Sequence, residues 1–389
     1  MNDKEIIRSA ALELGFQRAV VASLEPMQAE RLFFEKWLAQ GYAACMGYLS
    51  RDPEKRTSPQ LLCPEAYSAI VLFASYYTEA PPDPGPEYGR IARYAVGQDY
   101  HLVLPQKLAL LKARIETLLN KPLLGKYYTD DVELYEQAFA SKSGLGFAGK
   151  NTMIIGPKMM GSYHFVAEFF TDLQLEPDEP YKGTCGNCFR CASACPTEAI
   201  VSEGQVDSRL CISFLTIENK GGIPISLREK LGSWVFGCDV CQDVCPYNQR
   251  PPITEWNEFQ PSSGAGHFIK LYDILDLSNK KEFLSCFANT PLSRPKRFGL
   301  QRNALIVLGN RRPKNGDEFL SMFLRKLSKE LGQTEMRREQ TAILFEHACW
   351  ALSRYPDTRG EIRSAAENYF QKLSKKEAEP LREAIESYM

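Results

Sequence analysis

The chain has 389 residues, of which 44% are hydrophobic and 24% are charged, and its formal net charge is −1. A chain of this length and apolar content can bury complete hydrophobic cores without disulfide staples, and its length predicts two or three domains. The nearly balanced charge excludes a strong overall field toward nucleic acid or membrane surfaces, and the lack of an eighteen-residue apolar run excludes a membrane-spanning helix.

The first 175 residues combine apolar runs of strand length with amphipathic helix patterns. In chain order, they predict a helix, two buried strands and a second helix over residues 3–15, 16–23, 66–77 and 104–120. Asp3 is the expected N-cap of the first helix, and the Pro- and Gly-rich residues 79–89 are expected to form a loop. This alternation predicts an α/β or α+β domain. The charged N-terminal residues do not resemble a secretory signal peptide, so we expect none.

A cysteine-rich region follows over about residues 176–250, and after a linker the pattern becomes wholly helical. Two segments of this last part, 303–309 and 347–353, share an Ala-x-x-x-Leu frame 44 residues apart, which lies within the period of HEAT repeats. Two ordinary amphipathic helices can match in this way by chance, but we favour a short HEAT-like α-solenoid. We therefore expect an α+β fold class with three domains, over residues 1–175, 176–250 and 255–389.

Positive charge is concentrated in one stretch of the helical region, from residue 294 to residue 329, where only Asp317 and Glu318 oppose it. Its ten basic residues are Arg294, Lys296, Arg297, Arg302, Arg311, Arg312, Lys314, Arg325, Lys326 and Lys329. A solvated helix face is the ordinary interpretation of such a stretch. The alternative is contact with a phosphate backbone, as part of a nucleic-acid-binding surface.

Eight of the twelve cysteines define two ferredoxin-type runs and a spare residue between them. The first run has the spacing C-x2-C-x2-C-x3-C-P from Cys185 to Cys195, and the second has C-x2-C-x3-C-P from Cys238 to Cys245. In two-cluster ferredoxins the fourth thiolate of the first pattern binds the neighbouring cluster. Cys211 supplies the ligand that the second run lacks, so the sequence predicts two 4Fe–4S clusters. We assign Cys185, Cys188, Cys191 and Cys245 to one cluster, and Cys195, Cys211, Cys238 and Cys241 to the other.

Disulfides and structural zinc are the alternatives for these cysteines. Disulfides suit small secreted scaffolds, which this chain does not resemble in length or composition. Zinc sites use paired C-x2-C motifs, but a triple C-x2-C-x2-C followed by C-x3-C-P is not a zinc spacing. The remaining cysteines have no ligand spacing and are expected to be small buried hydrophobic residues; they are Cys45, Cys63, Cys286 and Cys349.

Together with the cysteine runs, several segments resemble the epoxyqueuosine reductase family, a group of cobalamin-dependent reductases related to reductive dehalogenases. Apart from the first run and the segment around Asp130, they are EKRTSP (54–59), RYAVGQDYH (93–101), GLGFAGKNT (144–152), GSYHF (161–165), CISFLTIE (211–218), FGCDVCQDVCP (236–246) and QRNAL (301–305). The cysteine-bearing block is the most specific of them. The glycine-rich segment matches neither G-x-G-x-x-G nor a Walker loop, so it does not predict a conventional nucleotide pocket.

The resemblance implies reduction of epoxyqueuosine to queuosine at the wobble position of tRNA anticodons, the final step of queuosine biosynthesis. It implies cob(I)alamin attack on the epoxide, protonation by Asp130, and electrons delivered through the two 4Fe–4S clusters. Asp131 follows directly where the family usually has a small residue or proline, so Asp131 is the second candidate for the donor. The cobalamin contacts implied by the resemblance are Arg56, Ala92, Asp130, Ile154, Val166, Ser213, Asp239 and Val240.

The same resemblance assigns roles to the three expected domains: cobalamin binding and catalysis, two-cluster electron transfer, and helical tRNA binding. The expected partners are the tRNA anticodon stem-loop and an external electron donor, with no membrane, and we expect a cytoplasmic monomer. One rival is a pure electron-transfer protein, which leaves the first 175 residues without a role. Another is a cobalamin-dependent reductase of a small organohalide, for which the basic helical region would be superfluous.

Overall fold

The computed structural model describes residues 2–330 and 337–389, which form a mixed α/β structure. Its α-helices are α1 (Asp3–Glu13), α2 (Gln28–Ala39), α3 (Pro53–Arg56), α4 (Tyr100–Leu119), α5 (Glu136–Lys142), α6 (Arg190–Ala194), α7 (Ile212–Ile217), α8 (Ile225–Arg228), α9 (Val240–Asp243), α10 (Leu271–Asp276), α11 (Lys280–Phe287), α12 (Lys296–Arg311), α13 (Gly316–Glu330), α14 (Arg338–Ser353), α15 (Arg359–Phe370) and α16 (Lys375–Glu386). Its β-strands are β1 (Arg18–Ala22), β2 (Ser68–Ser75), β3 (Tyr88–Ile91), β4 (Gly125–Tyr128), β5 (Phe147–Ala148), β6 (Ile154–Ile155), β7 (His164–Thr171), β8 (Ile200–Ser202), β9 (Gln205–Val206), β10 (Trp234–Phe236) and β11 (Phe268–Lys270).

The chain divides into two compact units, each assembled from separate stretches of sequence. The first unit comprises Met1–Glu79, Arg93–Cys211 and Asp239–Gly264, and the second unit comprises Ala80–Ala92, Ile212–Cys238 and Ala265–Met389. Both units therefore contain part of the cysteine-rich region. The division into three consecutive functional domains stays a prediction.

The first unit is built on an antiparallel sheet with the strand order β1-β2-β7-β4. All residues of β2 are buried, because apolar clusters cover both of its faces. Alternate residues from Ile70 to Ala74 pack with residues of α1 and α4, whereas those from Ala69 to Phe73 pack in the cluster that includes α5. A continuous apolar run is the pattern expected of a strand that is buried on both faces.

The strands predicted over residues 16–23 and 66–77 are confirmed as β1 and β2. The first helix is confirmed as well, but the prediction that Asp3 caps it is wrong. Asn2 is the N-cap, since its side chain accepts the N–H of Glu5 at 2.9 Å and the Glu5 carboxylate accepts the N–H of Asn2 at 3.0 Å. This reciprocal pair is a capping box, and Asp3 is the first residue inside the helix.

The long helix α4 begins at Tyr100, before the start predicted at residue 104. Proline is common at the first position of a helix, but Pro105 lies inside α4. Its place in the sequence therefore does not mark where this helix begins. The cap is instead Asp99, whose carboxylate accepts the N–H of His101 at 3.0 Å. This earlier start brings the Tyr100 and His101 side chains onto the first turn of the helix.

The second unit contains the sheet β10-β3-β11, in which β3 pairs in parallel with β10 and antiparallel with β11. The C-terminal region is therefore not wholly helical as expected, because β11 pairs with a strand that is distant in sequence. Helices α12 and α14, which carry the two Ala-x-x-x-Leu segments, pack against each other. A Cβ atom at Gly309 would lie 2.9 Å from the Cα atom of Ala351, so glycine permits this approach. The HEAT-like repeat itself stays a prediction.

A buried ion pair joins two segments of the second unit. The Arg228 guanidinium donates to both carboxylate oxygens of Glu346, at 2.9 and 2.7 Å, and His347 Nδ1 lies 2.8 Å from the same carboxylate. Burial acts to raise the pKa of Glu346, but the hydrogen bonds and charges of His347 and Arg228 outweigh it and lower this pKa to about 2. Glu346 therefore stays ionised inside the unit.

Arg228→Ala would leave the buried Glu346 carboxylate without its bidentate partner. We expect the free energy of unfolding to fall by about 3–5 kcal/mol, measured by urea unfolding of the cluster-loaded protein and followed by tryptophan fluorescence. The matched control is Arg354→Ala, which removes a bridge to the exposed side chain of Glu229, and exposed bridges contribute little. Equal losses in the two variants would contradict a structural role for the buried pair.

Candidate active site and cluster-binding residues

Four of the predicted cluster ligands line a single cavity of about 300 Å³ in the first unit. They are Cys185, Cys188, Cys191 and Cys245, and the other lining residues include Asn151, Met159, Arg190 and Tyr247. This is the thiol set assigned from the spacing to the first cluster, and a cavity with four thiols in its wall fits a cubane cluster. Within the described residues, no three Cys, His, Asp or Glu side chains converge on a point suited to a single metal ion.

The loop that carries the first two thiols is held by a neighbouring turn. The N–H of Cys188 donates to the carbonyl of Cys185 at 3.1 Å, and Gly186 between them has a φ of +51°, which favours glycine. The Lys150 ammonium donates to the Gly186 carbonyl at 2.8 Å and lies 3.6 Å from the centroid of the Phe189 ring. The turn after β5 therefore braces the cysteine loop.

The second predicted ligand set is divided between the two units. Cys195, Cys211 and Cys241 belong to the first unit, and Cys238 belongs to the second unit, where it follows β10. Burial, followed by the charge of a Cys211 thiolate, raises the pKa of Cys241 to about 12. The amide of Asn151 donates to the Cys241 carbonyl at 3.4 Å. Whether these four thiols bind one cluster stays a prediction.

Two of the four remaining cysteines contradict the expectation that all of them are buried. Cys63 and Cys349 are buried as expected, but Cys45 and Cys286 are exposed. The expectation rested on the average burial of free cysteine, and it is wrong for these two side chains, which face solvent.

Asp130 lies in a turn between β4 and α5 with a left-handed backbone, at a φ of +52°. Its N–H donates to a carboxylate oxygen of Glu136 at 2.5 Å, which fixes the backbone of the turn. Its own carboxylate accepts the hydroxyl of Tyr100 at 2.8 Å and lies 4.0 Å from His101 Nε2. The Asp130 side chain is 66% exposed, so a substrate can reach it.

Asp131, the second candidate for the donor, has a different role in the same turn. Its carboxylate accepts the N–H of Thr129 at 2.9 Å, which closes the turn on itself. The adjacent carboxyls of Asp130 and Asp131 therefore have different partners. Asp130 has the tyrosine and histidine side chains beside it, and Asp131 has a backbone amide.

The first turn of α4 supplies the partners of Asp130. The Tyr100 ring stacks on Phe165 with centroids 4.5 Å apart, and burial raises the pKa of Tyr100, so its hydroxyl stays protonated. His101 Nδ1 lies 2.8 Å from the Asp99 carboxylate. Burial alone would lower the pKa of His101, but the hydrogen bond and charge of Asp99, with smaller contributions from Asp130 and Asp131, raise it above its ordinary value.

Two further carboxyls lie close to the Asp130 turn, the half-buried Glu136 and the fully buried Glu168. Burial, followed by the charge of Asp130, raises the pKa of Glu136 to about 8. Glu168, in the middle of β7, is 0% exposed, and neither of its carboxyl oxygens has a hydrogen-bond partner among the described residues. Burial, followed by the charges of Glu136, Asp130 and Asp131, raises the pKa of Glu168 well above its ordinary value. Both carboxyls therefore keep their protons to higher pH than an exposed glutamate does.

The other residues expected to contact cobalamin divide between the units. In the first unit, Arg56 is buried, donates from Nη2 to the Tyr48 carbonyl at 2.9 Å, and has a buried Nε without a partner among the described residues. Ile154 and Val166 belong to the apolar cluster on the β2 face toward α5.

Two further expected contacts in the first unit lie at the start of α9. Asp239 is buried and accepts the N–H of Arg93 at 2.8 Å, and Val240 is half-buried. In the second unit, Ala92 is buried and donates its N–H to the Phe236 carbonyl at 2.9 Å. Ser213 is half-buried in α7. The contact of all these residues with cobalamin stays a prediction.

A family model described as a 4Fe-4S double cluster binding domain matches residues 184–248, and one described as epoxyqueuosine reductase QueG matches residues 56–131. An epoxyqueuosine reductase from Leadbetterella byssophila is 39% identical over 303 residues, which cover 77% of this chain and 97% of that protein. The chain belongs to the epoxyqueuosine reductase family. The family expected from the sequence segments is therefore confirmed, and a double-cluster domain is present.

Solved structures of epoxyqueuosine reductases have the same fold. One contains a tRNA-Tyr stem loop modified with epoxyqueuosine; it is 30% identical, with a TM-score of 0.82 and 98% of each chain covered. Another, from Bacillus subtilis, has the catalytic loop with its aspartate swung out of the active site; it is 29% identical, with a TM-score of 0.83 and 98% of each chain covered. In the part of this chain that the structure describes, no helix has the length and apolarity to cross a bilayer.

Sequence reasoning gave no role to three residues of this epoxyqueuosine reductase site, namely Tyr100, Glu136 and Glu168. Tyr100 and Glu136 lie in segments whose composition is unusual for a core, but no spacing rule relates them to Asp130. Glu168 had a signal, because it is a lone carboxyl within the apolar run of β7. Charged residues are almost never fully buried without a partner, so such a residue in a buried strand indicates a functional site.

The raised pKa values of Glu136 and Glu168 predict how stability depends on pH. Both pKa values are raised on folding, so the folded chain holds more protons above the ordinary value of 4.5, and stability falls as pH rises from there toward about 8. We expect Glu168→Gln to reduce this fall, by roughly 1.4 kcal/mol for each pH unit by which folding raises the pKa of Glu168. Thermal unfolding at several pH values measures it. An unchanged slope in Glu168→Gln, with the exposed Glu25→Gln as control, would contradict the assignment.

Proposed function

We propose that this epoxyqueuosine reductase converts epoxyqueuosine in the anticodon of tRNA to queuosine, with Asp130 as the proton donor. The observation that carries the proposal is the Asp130 carboxyl, which is exposed to substrate and accepts the Tyr100 hydroxyl, while Glu136 accepts the backbone N–H of the same residue. The family membership of the chain supports the reaction. The modified tRNA stem loop bound by a related enzyme supports the substrate.

The reaction needs a positioned acid. Replacing the epoxide by an alkene consumes two electrons and two protons and releases water, and an alkoxide is a poor leaving group. Protonation of the oxygen during C–O cleavage is therefore the task of a general acid. The Tyr100 hydroxyl orients the Asp130 carboxyl, and Glu136 holds the backbone of the turn. The half-exposed His101, 4.0 Å from the same oxygen, is the candidate for returning a proton from solvent to Asp130.

When bound, cobalamin supplies a strong cobalt nucleophile toward an epoxide carbon, and the protein supplies its orientation and the protons. The residues that would hold it in the first unit fit a large ligand of mixed polarity. Ile154 and Val166 offer apolar surface, and the partnerless Nε of Arg56 offers a buried donor. We assign Asp239 and Val240 at the start of α9 to the same cofactor.

The thiols of the two cysteine runs would hold two 4Fe–4S clusters, each of which carries one electron, so the pair matches the demand of one turnover. The electrons come from an external donor. We further propose that the C-terminal helices form a short HEAT-like solenoid and that the enzyme acts as a monomer in the cytoplasm. The packing of α12 against α14 supports the solenoid.

The basic stretch over residues 294–329 is proposed to grip the anticodon stem-loop, but only with part of its residues. Arg302 is fully buried and donates to the Leu215 and Gly221 carbonyls. Arg311 is committed to Asp83, with two hydrogen bonds of 2.9 Å. Arg312 and Lys314 are exposed and, among the described residues, are in no ion pair, so they are better candidates for phosphate contacts.

Asp130→Asn removes the acidic proton while keeping the shape of the side chain, and asparagine tolerates the left-handed backbone. We expect turnover to fall by about 10²–10⁴-fold, whereas Asp131→Asn should change it much less, because Asp131 closes the turn. The assay uses anaerobic protein with clusters, cobalamin and dithionite, and weighs the wobble nucleoside after digestion of the modified tRNA. A larger loss in Asp131→Asn would move the donor to Asp131.

The double variant Arg312→Glu, Lys314→Glu tests the tRNA surface. We expect weaker binding of the stem-loop at low salt and a salt dependence whose log–log slope falls by about 0.9 for each lost phosphate contact. Fluorescence anisotropy of a labelled stem-loop measures both. The control is Lys375→Glu, Lys376→Glu, which reverses two exposed charges outside the basic stretch. Equal affinity and slope in both double variants would rule out this surface.

A further inference from the structure

The cavity of the first predicted cluster reaches the protein surface through partly exposed residues. Each of its cysteines is half-buried, and Met159 and Arg190 line it. Phe189, which lies between a ligand cysteine and Arg190 in sequence, is 51% exposed, and Met159 is 42% exposed. Exposed apolar side chains of this size do not contribute to the packing of the core, so their position at the mouth of the cavity points to contact with a partner.

A third exposed apolar side chain belongs to the same surface. Tyr181 is 39% exposed, and its ring lies 6.4 Å from the ring of Phe147. Phe147 in turn contacts the cavity-lining Tyr247, at 5.4 Å between centroids. The Tyr247 hydroxyl donates to the Thr184 carbonyl at 2.9 Å, which connects the segment after Tyr181 to the cavity wall.

Positive charge accompanies these apolar side chains. Lys158, Lys182 and Arg190 are exposed, and none of them is in an ion pair within residues 2–330 and 337–389. Of the nearby acids, Glu203 is already bound to Lys150 at 2.7 Å and Asp178 to Lys4 at 2.8 Å, whereas Glu179 is exposed and opposes part of this positive charge. The surface around the cavity therefore presents unpaired cations beside exposed apolar groups.

We propose that this surface, the electron-accepting face, is the docking site for an acidic one-electron carrier protein; it is formed by Lys158, Met159, Tyr181, Lys182, Phe189 and Arg190. The inference rests on the proposed function, because that reaction takes two electrons from outside. In each encounter the carrier loses one electron and the cluster behind the face gains one, so two encounters supply one turnover. No proton is transferred, and no covalent bond is formed or broken, at the electron-accepting face.

The choice of the first cluster as acceptor follows from the ligand assignment. Three expected cobalamin contacts, Ser213, Asp239 and Val240, neighbour Cys211, Cys238 and Cys241 of the second set in sequence, and none neighbours the first set. On this assignment, the first cluster is the one farther from cobalamin. Electron carriers form small, transient interfaces, and opposite charge steers such encounters and raises their rate in a salt-dependent way.

The test follows cluster reduction by stopped-flow absorbance in the full-length, anaerobically reconstituted protein, without tRNA. The probe is reduced flavodoxin, an acidic flavin protein. We expect the second-order rate constant of Lys158→Glu, Lys182→Glu, which leaves the cavity-lining Arg190 in place, to be about tenfold or more below that of wild type at low salt and to approach it at high salt. Dithionite is a small anion without an extended acidic surface, so its rate of cluster reduction should change much less between the two proteins than the flavodoxin rate does. The control is Arg51→Glu, Lys121→Glu, which reverses two exposed charges of the first unit outside the face.

The proposal is overturned if flavodoxin reduces the double variant as fast as it reduces the wild type. If the same variant also binds tRNA more weakly, the face is an RNA-binding surface instead. If the variant does not load its clusters, the salt dependence of the wild-type rate decides, and a rate that does not fall with salt overturns the proposal. Because no tRNA is present, failure here is distinct from failure of the proposed reaction, which the nucleoside mass reports with dithionite as reductant.

Discussion

The first unit is organised around one constraint, which is that thiols from two separate cysteine runs line the same cavity. Cys185, Cys188 and Cys191 are close in sequence, but Cys245 joins them only after the chain has contributed Ile212–Cys238 to the second unit. Closing a loop of this length costs conformational entropy. The returning segment therefore needs anchors other than the cluster itself, and these anchors determine which other parts of the unit it contacts.

Those anchors connect the cluster region to the sheet that supports the candidate active site. Arg93 donates to Asp243 at 2.5 Å and to Asp239 at 3.3 Å, and the Tyr163 hydroxyl donates to Asp243 at 2.7 Å. Tyr163 directly precedes β7, the strand that carries Glu168 behind the Asp130 turn. A partnerless buried carboxyl and a left-handed aspartate are both costly. The unit can retain them because β7 is fixed by pairing on both sides and by this network.

The features that the sequence predicts correctly are those set by the spacing of residues close together in the chain. The cysteine runs and the apolar run of β2 are short-range patterns, and both identify their elements correctly. Features decided by distant partners were not predictable, such as the pairing of β11 with a strand far away in sequence. The apolar run of β7 signals that Glu168 is buried, but it does not reveal the acidic neighbours that α5 and the Asp130 turn bring to this carboxyl. Arg302 shows the same limit, since it counts toward a basic stretch but is buried on the Leu215 carbonyl. A run of basic residues shows how many charges a segment carries, but the packing of the fold decides which of those charges face solvent.

The glycine-rich segment before β6 contacts both the cysteine runs and the apolar cluster that is expected to contact cobalamin. Its sequence excludes the usual phosphate-binding loops, and the structure gives it other contacts. Lys150 holds the Gly186 carbonyl beside the first cysteine pair, and Asn151 donates to the Cys241 carbonyl. Three residues later, Ile154 of β6 packs in the apolar cluster expected to face cobalamin. A single turn thus contacts both cysteine runs and leads directly into a strand that is expected to contact cobalamin, so we expect a change in its backbone to affect both regions together.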